Sequence, residues 1–95
     1  MIRVLIERHI AEPLERLYEE RSRKILQHAV SAPGFVSGES LTDANDSNHR
    51  FTLANWRSEA DWLRWQASEE RKTLMAELTP MMDREEIITI LRHGH

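Results

Sequence analysis

The sequence predicts an α+β domain in which a four-stranded antiparallel sheet carries helices on a single face, with the order β-α-β-β-α-β. Three observations carry that prediction. Ala32-Pro33-Gly34-Phe35-Val36 reads as the end of a helix turning sharply into a strand. An alternating segment closes at Trp56, as the last strand of a hairpin should before it hands the chain to a helix. Trp65 then stands on that helix. A domain of this kind can hold a pocket between sheet and helices, and Trp56 and Trp65 fall where that pocket would lie.

Each element has its own signal. Residues 2–8 carry Ile2, Val4, Leu5 and Ile6 with charges at Arg3, Glu7 and Arg8, a β-branched and partly alternating strand. Glu12-Pro13 opens a helix, since proline is tolerated in a first helical turn. Leu14, Leu17, Tyr18, Ile25, Ala29 and Val30 recur at helical spacing as far as Ala32. Pro33 stops the helix and Gly34 supplies the bend. Residues 35–42 form the second strand, the turn formers of residues 43–48 a hairpin loop, and residues 49–56 the third strand. Phe51, Leu53 and Asn55 share one face of the third strand; Thr52, Ala54 and Trp56 share the other. Ser58 followed by Asp61 resembles a capping box, and the helical region 59–78 it opens has a possible break near Ser68. Thr79-Pro80 ends that region. Ile87, Ile88, Ile90 and Leu91 make the last strand, and residues 92–95 are a polar tail. The two terminal strands are the richest in isoleucine and are expected at the centre of the sheet. The face without helices would expose Val36 and Leu41, so a homodimer is expected to cover it.

Ninety-five residues make a single domain, 1–95. A net charge of −3 offers no clustered basic face for nucleic acid. The chain has no cysteine, which excludes disulfides, thiolate metal sites and a cysteine nucleophile. Neither a leader segment nor an apolar run of membrane-spanning length is visible, so a soluble cytoplasmic protein is expected.

Among residues able to carry chemistry, Arg21 falls within the apolar face set by Leu14, Tyr18 and Ile25, with His28 on its flank. Its guanidinium either snorkels to the sheet edge or pairs with Glu7 of the first strand in a cavity. His28, one turn from the helix end, is explained by the helix dipole. Trp62 and Trp65 neighbour one another three residues apart; with Trp56 they form either a plain core or the wall of a pocket for a flat organic ligand. His9, His49 and His93 fall near strand ends and form no expected metal site. Arg64, Arg71 and Lys72 with Glu69, Glu70 and Glu77 read as a solvated helix face. There is no phosphate-binding glycine loop and no nucleophile elbow.

Over nearly its whole length the chain resembles the antibiotic biosynthesis monooxygenase superfamily. The resemblance rests on the first strand, the turn Ala32-Pro33-Gly34-Phe35, the strand ending at Trp56, and the segment from Trp56 to Trp65 leading into Gln66-Ala67-Ser68. It implies a dimeric α+β barrel with a ferredoxin-like protomer. It also implies oxygenation of a small aromatic or polyketide-like substrate with no flavin, metal or other cofactor. By that resemblance Glu7 is the candidate base, Arg21 steadies a developing phenolate, and Trp65 belongs to the catalytic set. Trp62, Met75 and His28 fall to substrate binding. The superfamily's haem-degrading branch uses an asparagine, a tryptophan and a haem-ligating histidine. Trp65 matches the tryptophan, but Glu7 and Met75 stand at the other two positions, which disfavours haem degradation. The rival expectation is a non-catalytic ligand-binding or stress-response barrel; haem binding without turnover requires His28 or another histidine in the pocket. A pocket holding Glu7 beside the tryptophans would favour an enzyme.

Overall fold

The computed structural model describes residues 1–94. The elements run β1 (Ile2–His9), α1 (Glu15–Ala29), β2 (Phe35–Asp43), β3 (Asp46–Trp56), α2 (Glu59–Gln66), α3 (Glu69–Leu78) and β4 (Ile87–Arg92), with a short 3-10 turn at Thr79–Met81. This is the ferredoxin-like α+β layout, with the second helical region in two pieces.

The sheet order is β2-β3-β1-β4, antiparallel throughout. The central pair is therefore β1 and β3. β4 is an edge strand bonded only to β1, contrary to the expectation that both isoleucine-rich terminal strands lie at the centre. Its apolar residues divide between the two faces: Ile88 and Ile90 pack on the core, while Ile87 and Leu91 are exposed.

Strand parity sorts the two faces. Ile2, Val4, Ile6 and Arg8 of β1 pair across from Trp56, Ala54, Thr52 and Arg50 of β3 on the helix-covered side. Arg3, Leu5, Glu7 and His9 pair with Asn55, Leu53, Phe51 and His49 on the side that no helix covers. Leu41, across from Phe51 on β2, is exposed, and so is Val36. The core comprises Ile2, Val4 and Ile6 of β1 with Ile10, Tyr18, Ile25, Ala29, Ala54, Trp56, Trp62, Trp65, Leu74, Leu78 and Met81.

Several boundaries differ from the sequence expectation. α1 begins at Glu15 rather than at Glu12-Pro13, because residues 11–14 form a turn in which the Ala11 N–H donates to the Met81 carbonyl and the Leu14 N–H to the Ala11 carbonyl. The hairpin loop shrinks from residues 43–48 to Ala44-Asn45, so β3 starts three residues early. The Asp43 carboxylate accepts the Asn45 N–H at 2.8 Å and closes that turn locally. Ser58 caps α2, its hydroxyl accepting the Asp61 N–H at 3.1 Å. The second helical region breaks at Ser68, which caps α3 by accepting the Arg71 N–H while its own hydroxyl donates to the Trp65 carbonyl. Gly34 has φ +88°, and a Cβ there would lie 2.3 Å from the Asp61 carboxylate, so only glycine fits the turn that lets β2 start under α2.

Candidate functional site

The helix-covered face holds a small cavity of about 30 Å³ lined by α1, β1, β3, the start of β2 and the two later helices. Trp56, Trp62, Trp65 and Phe35 supply its aromatic wall, and Ile6, Ile25 and Ala54 much of the rest. The rings meet edge to face, Phe35 to Trp56 at 5.3 Å and Trp56 to Trp62 at 5.8 Å between centroids. Volume of this size holds about one water molecule. A larger groove of about 410 Å³ adjoins it between α1 and the β2–β3 hairpin, passing Tyr18, Leu41, Arg50 and Phe51. Ser22 and Leu26 line both spaces and so form the partition between them. Leu26 can stand there because Gly38 has no side chain: a Cβ would come within 3.0 Å of Leu26 Cδ1.

The charges that line the cavity, Arg8 and Arg71, are both guanidinium groups. Arg8 is only 2% exposed. It donates from Nε to Glu86 at 2.9 Å and from a terminal nitrogen to the Tyr18 hydroxyl at 3.2 Å. Arg71, 6% exposed, donates to the other Glu86 oxygen at 3.2 Å and lies 5.5 Å from the centre of the Trp62 ring. One carboxylate thus serves two cations. Burial works against the Arg8 charge, but Tyr18 and Glu86 more than offset it and raise its pKa. For Arg71 burial wins over Glu86, with Arg8 adding repulsion, and the pKa falls. Burial likewise pushes Glu86 upward, yet the two guanidinium groups outweigh it and hold the carboxyl below its usual range. The wall has a second unbalanced feature: the Trp56 and Trp62 indole N–H groups are buried and make no hydrogen bond among the described residues. A buried, unpaired donor costs about 1 to 3 kcal/mol.

The residues expected from sequence are dispersed. Trp62 and Trp65 line the cavity and are nearly fully buried. Glu7 does not line it. As an odd-numbered residue of β1 it projects from the uncovered face, where its carboxylate meets His49 and lies 3.9 Å from His9. The Glu7–Arg21 pair is therefore not formed. Arg21 snorkels instead, its half-exposed guanidinium 3.7 Å from Glu77 of α3. It sits beside the Tyr18–Ile25–Ala29 stripe rather than on it, in a charged seam that also contains Lys24. His28 belongs to the same seam, bonded to Glu70 at 2.7 Å and exposed to solvent, away from the cavity. Met75 lies behind Arg8, with its sulfur 3.8 Å from a guanidinium nitrogen, and lines a separate groove with Glu86 and Ile88.

Sequence reasoning missed Arg8, Arg71, Tyr18 and Glu86 as one constellation. Two had a signal. Arg8 continues the buried series Ile2, Val4, Ile6, and Arg71 shares the stripe of Leu74 and Leu78 once α3 is given its own start at Ser68. The charge run of Arg64, Arg71 and Lys72 with Glu69, Glu70 and Glu77 put Arg71 on a solvated face, although a break near Ser68 was visible. Glu86 had none, since it precedes β4 in a short polar connection.

Residues 1–77 match the family described as antibiotic biosynthesis monooxygenase. No curated protein matches the chain. Solved structures match it closely in shape. A crystal structure of an antibiotic biosynthesis monooxygenase aligns over 100% of both chains with a TM-score of 0.90 at 14% identity. A conserved protein from Methanosarcina mazei Go1 aligns over 98% of this chain and 92% of its own, TM-score 0.90, at 16% identity. SnoaB, a cofactor-independent oxygenase from Streptomyces nogalater, aligns over 98% of this chain and 95% of its own, TM-score 0.81, also at 16% identity. Identities this low establish a shared fold, while the family rests on the sequence match. The chain belongs to the antibiotic biosynthesis monooxygenase family.

Proposed function

We propose that this chain is a cofactor-independent monooxygenase of a small phenolic aromatic or polyketide-like substrate, working as a homodimer. The observation that carries the reading is the cavity wall: two buried cations, two unpaired indole donors and no lining carboxylate. Such a wall favours an aromatic anion over its neutral form. For a substrate with a methylene carbon activated by a phenolic ring, loss of a proton gives a resonance-stabilised carbanion. That carbanion reduces dioxygen and takes it up as a peroxide. Loss of water leaves a carbonyl, one oxygen atom ending in the product and the other in the water, with both methylene hydrogens. The family and the oxygenase SnoaB, of the same fold, support this chemistry.

In this reading the rings of the substrate lie in the outer groove and their reacting edge enters past Leu26. Arg8 and Arg71 lower the substrate's own pKa, and Trp62 and Trp65 wall the inner space that the reacting edge enters. Glu7, on the other face, is replaced as the charged participant by Arg8 and Arg71. A second reading is favoured by the cavity's small volume and lack of a base: the same wall binds an aromatic anion without turning it over. An oxygen electrode separates the two. With a tricyclic anthrone and no added flavin or metal, the enzyme should consume one dioxygen per quinone formed, and labelled dioxygen should place one labelled atom in the product. Saturable binding of the anthrone with oxygen uptake no faster than in the protein-free control would leave the binding reading and refute the enzyme.

A further inference from the structure

The uncovered sheet face carries a second polar cluster, which plays no part in the chemistry above. Glu7 and His9 are two apart on β1 and so project from the same face; the register places His49 of β3 directly across from His9. We infer that Glu7, His9 and His49 form a binding site for a divalent transition-metal cation of borderline softness, with Zn2+ the representative case. One ligand atom from each of the three lies within 4.8 Å of the others. Two imidazoles and a carboxylate are the donors such ions prefer, and are a poor set for magnesium or calcium, which take oxygen ligands.

Three features make the cluster more than a chance meeting of surface groups. The rings of His9 and His49 are nearly parallel, 11° apart with centroids at 4.4 Å, which sets the two imidazoles side by side. His49 uses Nδ1 to bond Asp43 at 2.8 Å, which leaves Nε2 directed at Glu7. A carboxylate behind a histidine in this way orients metal-binding imidazoles and strengthens them as donors. In the single chain, before a partner covers this face, the side chains of all three are between 19% and 28% exposed, which lets an ion enter. An imidazole binds a metal only in its neutral form, so binding tightens as pH rises.

The sequence places His9 and His49 near strand ends as incidental surface histidines; β3 begins at Asp46, which puts His49 inside the strand and directly across from His9. The site takes all three ligands from one chain and stands on the sheet face opposite the indole-lined cavity, so it is independent of the oxygenase reading.

The test uses the full chain with any purification tag removed and with His93 and His95 replaced by Gln, so that the tail cannot bind metal. Zn2+ titrated by calorimetry should bind one ion per chain, with proton release. Co2+ should give the visible bands of a nitrogen and oxygen site. His9→Ala, His49→Ala and Glu7→Gln should each weaken Zn2+ by at least about tenfold, and Asp43→Asn, which touches no metal, by about tenfold. Glu7→Gln keeps the side-chain shape and decides the matter if a histidine variant fails to fold. Absence of Zn2+ binding to the tail-substituted chain, or binding unchanged by Glu7→Gln, overturns the assignment.

Discussion

At the end of β1 the two faces of the sheet carry different charged clusters. On the covered side of β1, Arg8 is 2% exposed and shares Glu86 with Arg71. One residue away, on the open side, Glu7 meets His49 and His9 where water still reaches them. The buried cluster is made of guanidinium groups, which stay charged at any working pH, and it keeps a positive surplus against the aromatic wall. The open cluster is made of imidazoles and carboxylates, which can exchange a proton or a metal ion. Burial decides the difference: inside, an uncompensated titratable group would simply neutralise, so a lasting charge needs arginine. Strand alternation alone puts these two chemistries back to back.

If that contrast is correct, the covered side should be far the more sensitive to substitution. Glu86→Gln leaves two buried guanidinium groups facing each other without a carboxylate and should destabilise the fold on the order of 3 kcal/mol in denaturant unfolding. Its pH dependence has a definite sign. The folded-state pKa of Glu86 is depressed, so its contribution is complete above the ordinary value of 4.5 and disappears as pH falls through the lower folded value. The variant should lack that acid step in a plot of stability against pH.

A comparable effect, in two parts, is expected at Trp62. Trp62→Ala empties part of the core and should cost about 3 to 5 kcal/mol. Trp62→Phe keeps a ring and removes an unpaired buried donor, so the loss should be nearer 1 kcal/mol. The same Phe variant should bind a phenolic ligand about tenfold more weakly if that N–H donates to it. Calorimetric binding unchanged in Trp62→Phe would mean that the indole nitrogen faces only protein.

The least effect belongs to the seam between α1 and α3. Arg21→Ala removes an exposed contact to Glu77 and should cost less than about 1 kcal/mol. A double-mutant cycle between Arg21 and Glu7, which lie on opposite sides of the sheet, should be additive within error.

The layout was legible in sequence because local signals agreed: Ser58 and Asp61 at the start of α2, Gly34 at the sharp turn, and apolar alternation in β3. The possible break at Ser68 was visible, but its consequence for Arg71 was not drawn. Glu7 was placed against Arg21 because both are charges near apolar positions; strand parity, which sends Glu7 to the open face, outweighs that proximity in sequence. The pairing of His9 with His49 depended on the two-residue turn Ala44-Asn45, and a run of turn-forming residues hid how short the loop is. β4 was misplaced for a different reason. Isoleucine content reports burial, and an edge strand in a one-sided sheet can be apolar on both faces when one of them awaits a covering surface.

The central claim, that Arg8 and Arg71 make the cavity select an aromatic anion, can be tested on the ligand itself. A coloured tricyclic phenol is bound without oxygen and titrated by absorbance, free and in complex, in the native chain and in Arg71→Met. The bound phenol should ionise at lower pH than the free one, and Arg71→Met should remove most of that shift. A phenol that ionises at the same or higher pH when bound would contradict the account.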